Sequence, residues 1–289
     1  MNDTMAIFQT LHGWLESNIC NLDAIIFDID GVLLVRGESS MGSQKLIEML
    51  RRERFPFYLL TNDGDHSTEE KAATLDRAGL CVLSDEIVSC SDGLMELADG
   101  LNSNEEPFFI MGNLGNPCFA KKAGLKTTRD LESINICQGI IVGERNYDWE
   151  KTINAAVNFF IRKPHASLIV PNPDEYYPGQ CGEICIAAGG VARFIVQIVR
   201  RYGITIEPLY LGKPFLPIFR KTRQLLEEQH GRAIPLDRIL MVGDYINSDI
   251  RGAKDFGCRS AIVLTGVTTM NMLERSAILP DMVFQILGE

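Results

Sequence analysis

No apolar run in this sequence approaches the length of a membrane span, which argues against a helical membrane protein. A basic excess is missing as well. The 38 acidic side chains outnumber the 28 basic ones, and the formal net charge of -10 suits neither strand of a nucleic acid. A secretory signal is not expected at the start, where Asp3 replaces a basic opening. Gln9, Thr10, His12 and Gly13 also break the run from Met5 to Leu15. Internal repeats and low-complexity tracts are absent. There is no disulfide framework either: Cys20, Cys81, Cys90, Cys118, Cys137 and Cys258 stand alone among apolar or small residues. Cys181 and Cys185 have the wrong spacing for a zinc knuckle. Small buried thiols in a reducing compartment fit better, and a cytoplasmic location is the expectation.

What the chain does contain is an ordinary globular composition. An apolar fraction of 46% over 289 residues supplies core for one large domain or two smaller ones. Ala24-Ile25-Ile26-Phe27 reads as a strand buried on both faces, the pattern of a central strand in a parallel sheet. It runs into Asp28-Ile29-Asp30-Gly31, where two carboxylates arrive abruptly and a glycine permits a sharp turn. Two like charges there are costly unless a cation offsets them.

Taken in order, residues 5–20 read as a short amphipathic helix with Phe8, Leu11, Leu15 and Ile19 near helical spacing. A helix N-capped by Ser43 is expected up to about Arg52. The strand Phe57-Tyr58-Leu59-Leu60 then ends in Thr61-Asn62-Asp63-Gly64. Ser67-Thr68-Glu69-Glu70 has the capping-box pattern of a helix start, and Gly79 closes that helix. Strands alternating with helices predict βαβ units, hence an α/β fold with a doubly wound parallel sheet. The pattern breaks at the polar segment Gly100–Pro107 and resumes after Gly203–Pro208. These breaks predict a core made of residues 1–103 and 206–289, interrupted by an inserted α/β domain over 104–205.

Within the predicted core, four strands end in polar groups: Asp28 with Asp30, Thr61 with Asn62, Lys213 after Leu209-Tyr210-Leu211, and Asp244 with Asp249. Parallel strands bring all four sets to one crevice at the carboxyl edge of the sheet. The residue types suit phosphoryl transfer. A carboxylate can attack phosphorus and split one displacement into two steps. Mg²⁺ held by carboxylates, an ammonium and a hydroxyl with backbone amides can offset the negative charge that such an attack meets. A second carboxyl group can protonate the leaving oxygen and later deprotonate water.

Asp28-Ile29-Asp30-Gly31-Val32, Thr61-Asn62, Gly212-Lys213-Pro214 and Gly243-Asp244 with Asp249 resemble the four motifs of the haloacid dehalogenase superfamily. Val263-Leu264-Thr265-Gly266-Val267 and Asn172-Pro173-Asp174 are similar to the NagD-like branch, which includes p-nitrophenyl phosphatases, pyridoxal phosphatase and nucleotide monophosphatases. The resemblance implies a Rossmann-like core with an inserted cap, and a Mg²⁺-dependent phosphatase acting on a small phosphorylated metabolite. It implies Asp28 as nucleophile and metal ligand. Asp30 becomes the general acid/base with its carbonyl on the metal, and Asp244 a direct metal ligand. Thr61, Asn62 and Lys213 would hold the phosphoryl group, with Asp249 supporting the site from behind.

Two departures matter. Asp63 stands where many relatives carry asparagine, and Ala187-Ala188-Gly189-Gly190 differs from the usual glycine pattern of the cap. His66 reads as a loop histidine, and Tyr176 and Tyr177 either pack the cap or stack on an aromatic substrate. Rival readings are a catalytically silent relative that only binds, and a phosphotransferase on the same scaffold. A homodimer is left open.

Overall fold

The computed structural model describes residues 6–101, 106–179 and 183–289, and by internal contacts the chain divides into two compact units. The first comprises the described parts of Met1–Thr61, Lys71–Val88 and Lys213–Glu289; the second comprises Asn62–Glu70 and Ser89–Gly212. Cys181 and the middle of the expected linker at Gly100–Pro107 lie outside the described residues. Among the described residues, no helix is long and apolar enough to cross a membrane.

The first unit is built on a seven-stranded sheet. Its order is Ala6–Thr10, Met282–Ile286, Arg259–Val263, Ile239–Gly243, Ala24–Asp28, Phe57–Thr61 and Ile87–Ser89. The pairings from Ala6–Thr10 through Phe57–Thr61 are all parallel, as the strand–helix alternation predicts. Ala24–Asp28 is buried along its whole length and lies between Ile239–Gly243 and Phe57–Thr61. Phe27 faces Leu59 on one side and Val242 on the other, so Asp28, Thr61 and Asp244 emerge from three neighbouring strands at the same edge. Ile25, Phe27, Leu59, Leu240, Val242 and Phe284 belong to the core that fixes this register.

The start of the chain corrects the expected helix over 5–20. Ala6–Thr10 is an edge strand paired with Met282–Ile286, and the helix begins only at Leu11, where the Thr10 hydroxyl accepts from the Gly13 amide at 3.2 Å. Phe8 stacks on Phe284 with ring centroids 5.4 Å apart, and pairing to a distant strand overrides the local helical spacing. Ser43 is likewise the first residue of its helix, with Gly42 at the cap position.

The second unit carries its own parallel five-stranded sheet, ordered Leu209–Tyr210, Ser167–Val170, Gly139–Val142, Phe108–Met111 and Thr127–Thr128. The helices Trp149–Arg162 and Ala188–Arg201 pack on it through Phe159, Phe160, Val191, Ile195 and Val199. Tyr176–Pro178 and Ile184–Ile186 form a separate antiparallel pair. Ser67 and Glu70 exchange the capping bonds expected of them, at 2.8 and 3.2 Å.

Leu209–Tyr210 was expected among the strands of the interrupted core; it pairs instead with Ser167–Val170 in the second sheet. The amide of Gly212 continues that pairing to Pro171 at 2.9 Å, so the units divide between Gly212 and Lys213. A two-residue strand has no alternating face from which its sheet could be read.

Candidate active site

The end of the central strand is where the first unit concentrates its buried charge. Lys213, 2% exposed, points its ammonium at Asp28 Oδ1 (2.6 Å) and Asp249 Oδ1 (2.7 Å), and donates to the Leu60 carbonyl at 3.2 Å. Asp249 Oδ2 accepts the amides of Asp244 and Tyr245 at 3.1 and 3.0 Å. Both of its oxygens are thus committed to holding neighbours. Asp244 Oδ2 accepts the Val267 amide at 2.7 Å. One carboxylate oxygen from each of Asp28, Asp244 and Asp249 lies within 4.8 Å of the others.

The loops are shaped for this approach. Gly31 has φ +89°, a conformation that favours glycine, and a β-carbon at either Gly31 or Gly266 would overlap the Asp244 carboxylate. The Thr265 hydroxyl donates to the Gly31 carbonyl at 2.6 Å and ties the two loops together.

Three buried carboxylates face one buried ammonium, which leaves an excess of two negative charges if all are ionised. The protonation equilibria reflect that excess. Burial pushes the Asp28 carboxyl well above the ordinary range, with Asp249 and Asp244 adding to it and Lys213 opposing. Burial and then the Asp249 charge push Asp244 up to about 7. Burial works against the Lys213 charge, but the Asp249 and Asp28 carboxylates outweigh it and raise the ammonium's pKa. A divalent cation among oxygen ligands would remove the excess, so the donor set fits Mg²⁺.

Asp30 lies two residues beyond Asp28, with a side chain that is 59% exposed. Its Oδ2 accepts from Lys71 Nζ at 2.8 Å. Thr61 is buried at the end of its strand. In the second unit, Asn62 donates to Asp174 Oδ2 at 3.0 Å, and its carbonyl accepts from the Cys90 thiol at 3.3 Å.

Known proteins resemble this chain in sequence and fold. A model of haloacid dehalogenase-like hydrolases matches residues 25–126, and a related HAD-hydrolase-like model matches residues 210–289. The acid sugar phosphatase of Staphylococcus saprophyticus is 25% identical over 93% of this chain and 96% of its own length. The ribonucleotide monophosphatase NagD of Escherichia coli K12 is 27% identical over 92% and 96%. A solved haloacid dehalogenase-superfamily structure from Cytophaga hutchinsonii superposes with a TM-score of 0.82 at 26% identity, covering 99% of both chains. The chain belongs to the haloacid dehalogenase-like hydrolases. The two relatives, each matched over nearly its whole length, are named as phosphatases.

Sequence reasoning missed two polar residues of this hydrolase. Lys71 carries its charge on the core-facing side of the helix Thr68–Arg77, one turn before the fully buried Leu75. A lysine in an apolar stripe was the available signal. Glu144, 5% exposed, accepts Asn172 Nδ2 at 2.8 Å and the Ala188 amide, at the start of the helix Ala188–Arg201, at 3.1 Å. Burial pushes it up to about 7 against the pull of those two donors. Asn172 Oδ1 in turn accepts the Asp174 amide at 2.9 Å, so Ala188, Glu144, Asn172, Asp174 and Asn62 form one connected chain. Gly189 belongs to this arrangement, since a β-carbon there would overlap the Pro173 carbonyl.

Asp63, the first of the two departures from the family pattern, acquires a local role. Asp63 Oδ1 accepts the Asp65 amide at 3.0 Å, and Oδ2 lies 2.9 Å from His66 Nδ1, which makes Asp63 a turn former paired with its neighbour. Tyr177 sits under the Arg145 guanidinium, 6.0 Å from the ring centre, whereas Tyr176 is 41% exposed.

Proposed function

We propose that the protein is a Mg²⁺-dependent phosphatase that hydrolyses small phosphomonoesters through an aspartyl-phosphate on Asp28. The observation that carries this reading is the cluster itself: Asp28 held at 2.6 Å by a buried lysine, beside Asp244, with an excess of negative charge. Asp28 Oδ1 is fixed by Lys213, which orients the carboxylate for in-line attack on phosphorus. The P–O bond to the leaving group breaks as the Asp28–phosphorus bond forms, and the electron pair departs on the ester oxygen. Asp30 gives that oxygen a proton. Water then attacks phosphorus, its proton passes to Asp30, and the Asp28 carboxylate is released together with inorganic phosphate. The Thr61 hydroxyl, the Asn62 backbone amide and Lys213 are assigned to the non-reacting phosphoryl oxygens. The side chains of Asp28 and Asp244 and the Asp30 carbonyl would hold the cation, with Asp249 fixing Lys213 and the Asp244 backbone. When bound, Mg²⁺ offsets the charge of the phosphoryl group during attack by an anion.

The test is turnover of p-nitrophenyl phosphate, with and without Mg²⁺, by the wild-type protein and Asp28→Asn. Metal-dependent release of phosphate that disappears in the variant supports the reading. Equal turnover by the two proteins removes the nucleophile, and inactivity across a broad panel of phosphoesters favours a silent relative.

A further inference from the structure

Lysine is rarely buried unless it is paired with something that needs its charge. Lys71 is 7% exposed, yet the carboxylate it meets belongs to Asp30, whose side chain is 59% exposed. The unusual member of this pair is therefore the lysine. Its stem follows the same helix stripe as Leu75, and its ammonium reaches Asp30 Oδ2 at 2.8 Å from a site with little access to water. A helix thus presents a charge to a solvent-facing carboxyl group. A solvated surface pair would have two exposed partners and little energy.

We propose that Lys71 is a positioning residue that holds the Asp30 carboxyl group at the angle required for proton exchange with the substrate's ester oxygen. The proposal rests on the acid/base reading of Asp30 given above. The clamp engages Oδ2 and leaves Oδ1 to exchange the proton. In the first half-reaction that proton moves from Asp30 Oδ1 to the departing oxygen as the P–O bond breaks. In the second it returns from the attacking water to the same oxygen. Without Lys71, an exposed aspartate would sample several rotamers, and misplacement by about 1 Å can cost on the order of 10²-fold in rate. That loss falls on the chemical step and not on binding. It is greatest where the leaving oxygen needs a proton to depart.

The experiment compares kcat and KM for p-nitrophenyl phosphate, whose leaving group departs as a stable anion, with those for phenyl phosphate, whose leaving group benefits from protonation. Wild type, Lys71→Met, Lys71→Arg and Asp30→Asn are assayed with saturating Mg²⁺. Lys71→Met should lower kcat on phenyl phosphate roughly tenfold and kcat on p-nitrophenyl phosphate, which needs Asp30 only for the water step, by a smaller factor, with KM little altered for either. Lys71→Arg should recover part of the loss. The ratio of the two kcat values is independent of the folded fraction, so a poorly folding variant still gives an answer, and Lys71→Gln replaces Lys71→Met if no folded protein is obtained. An unchanged ratio in every Lys71 variant overturns the proposal, as does an effect confined to KM. Asp30→Asn separates this failure from that of the underlying reading. If it too leaves the ratio unchanged, Asp30 is not the acid; if it shifts the ratio where the Lys71 variants do not, Asp30 acts without the clamp.

Discussion

Asp244 in the first unit and Glu144 in the second are both buried carboxyl groups pushed up to about 7, yet they reach that value by different routes. Asp244 has burial and the neighbouring Asp249 charge acting in the same direction, and it shares its surroundings with Asp28. Glu144 has burial opposed by Asn172 and the Ala188 amide, a donor for each oxygen. The first is a site with too much negative charge, and such a site calls for a cation. The second is a satisfied network, and such a network fixes a loop. A raised pKa alone therefore does not distinguish a reactive carboxyl from a structural one; the charge balance around it does.

Substitutions should separate the two regions, with the largest effect in the first. Asp28→Asn removes the proposed nucleophile and should lower kcat on p-nitrophenyl phosphate by roughly 10³-fold or more, measured with saturating Mg²⁺. Asp244→Asn should raise the Mg²⁺ concentration for half-maximal activity about tenfold or more, while making the metal-free protein more stable above pH 7. A magnesium titration that superposes on wild type would falsify the assignment of Asp244 as a ligand.

The pH dependence of stability sharpens the contrast. Both carboxyls have folded values near 7, above their ordinary values of 3.8 and 4.5. Each therefore contributes stability that is fully present below the lower value and is lost as pH rises through about 7. In metal-free protein, the excess of the melting temperature at pH 5 over that at pH 8 should shrink in both Asp244→Asn and Glu144→Gln. Added Mg²⁺ should shrink it in wild type and in Glu144→Gln at concentrations that leave Asp244→Asn unmoved. If magnesium acts equally on all three proteins, the cation does not reside at Asp244.

The smallest effect is expected in the connected chain of the second unit. Asp174→Ala strips Asn62 of an acceptor and should cost about 1 kcal/mol in urea unfolding. Glu144→Ala breaks the chain nearer its buried end and should cost more. A reversed ranking would mean that the chain is not anchored at Glu144.

Much of the candidate site was legible because several of its members follow a recognisable backbone event. Asp28 closes a wholly apolar strand, Asp244 follows another, and Gly31 marks the sharp turn between Asp30 and what comes next. What escaped depended on partners remote in sequence. The apolar stripe marks Lys71 but not its partner, which is identified only when Asp30 is found 2.8 Å away, and Glu144 has meaning only beside Asn172 and Ala188. The same holds for the fold. Phe8 fits a helical pattern with Leu11 and Leu15, but its stacking partner is Phe284 at the far end of the chain. Leu209–Tyr210 is too short to declare its sheet, and only its pairing with Ser167–Val170 assigns it.

The pairing of Ala6–Thr10 with Met282–Ile286 also has a bearing on biosynthesis. Ala6–Thr10 is made before the second unit and Met282–Ile286 after it, so the two strands pair only once the intervening chain has been synthesised. Until then an apolar edge segment waits without its ladder, exposed to chaperones and to other nascent chains. Moving the segment Ala6–Thr10 to follow Met282–Ile286 would make these strands successive in synthesis and shorten that wait.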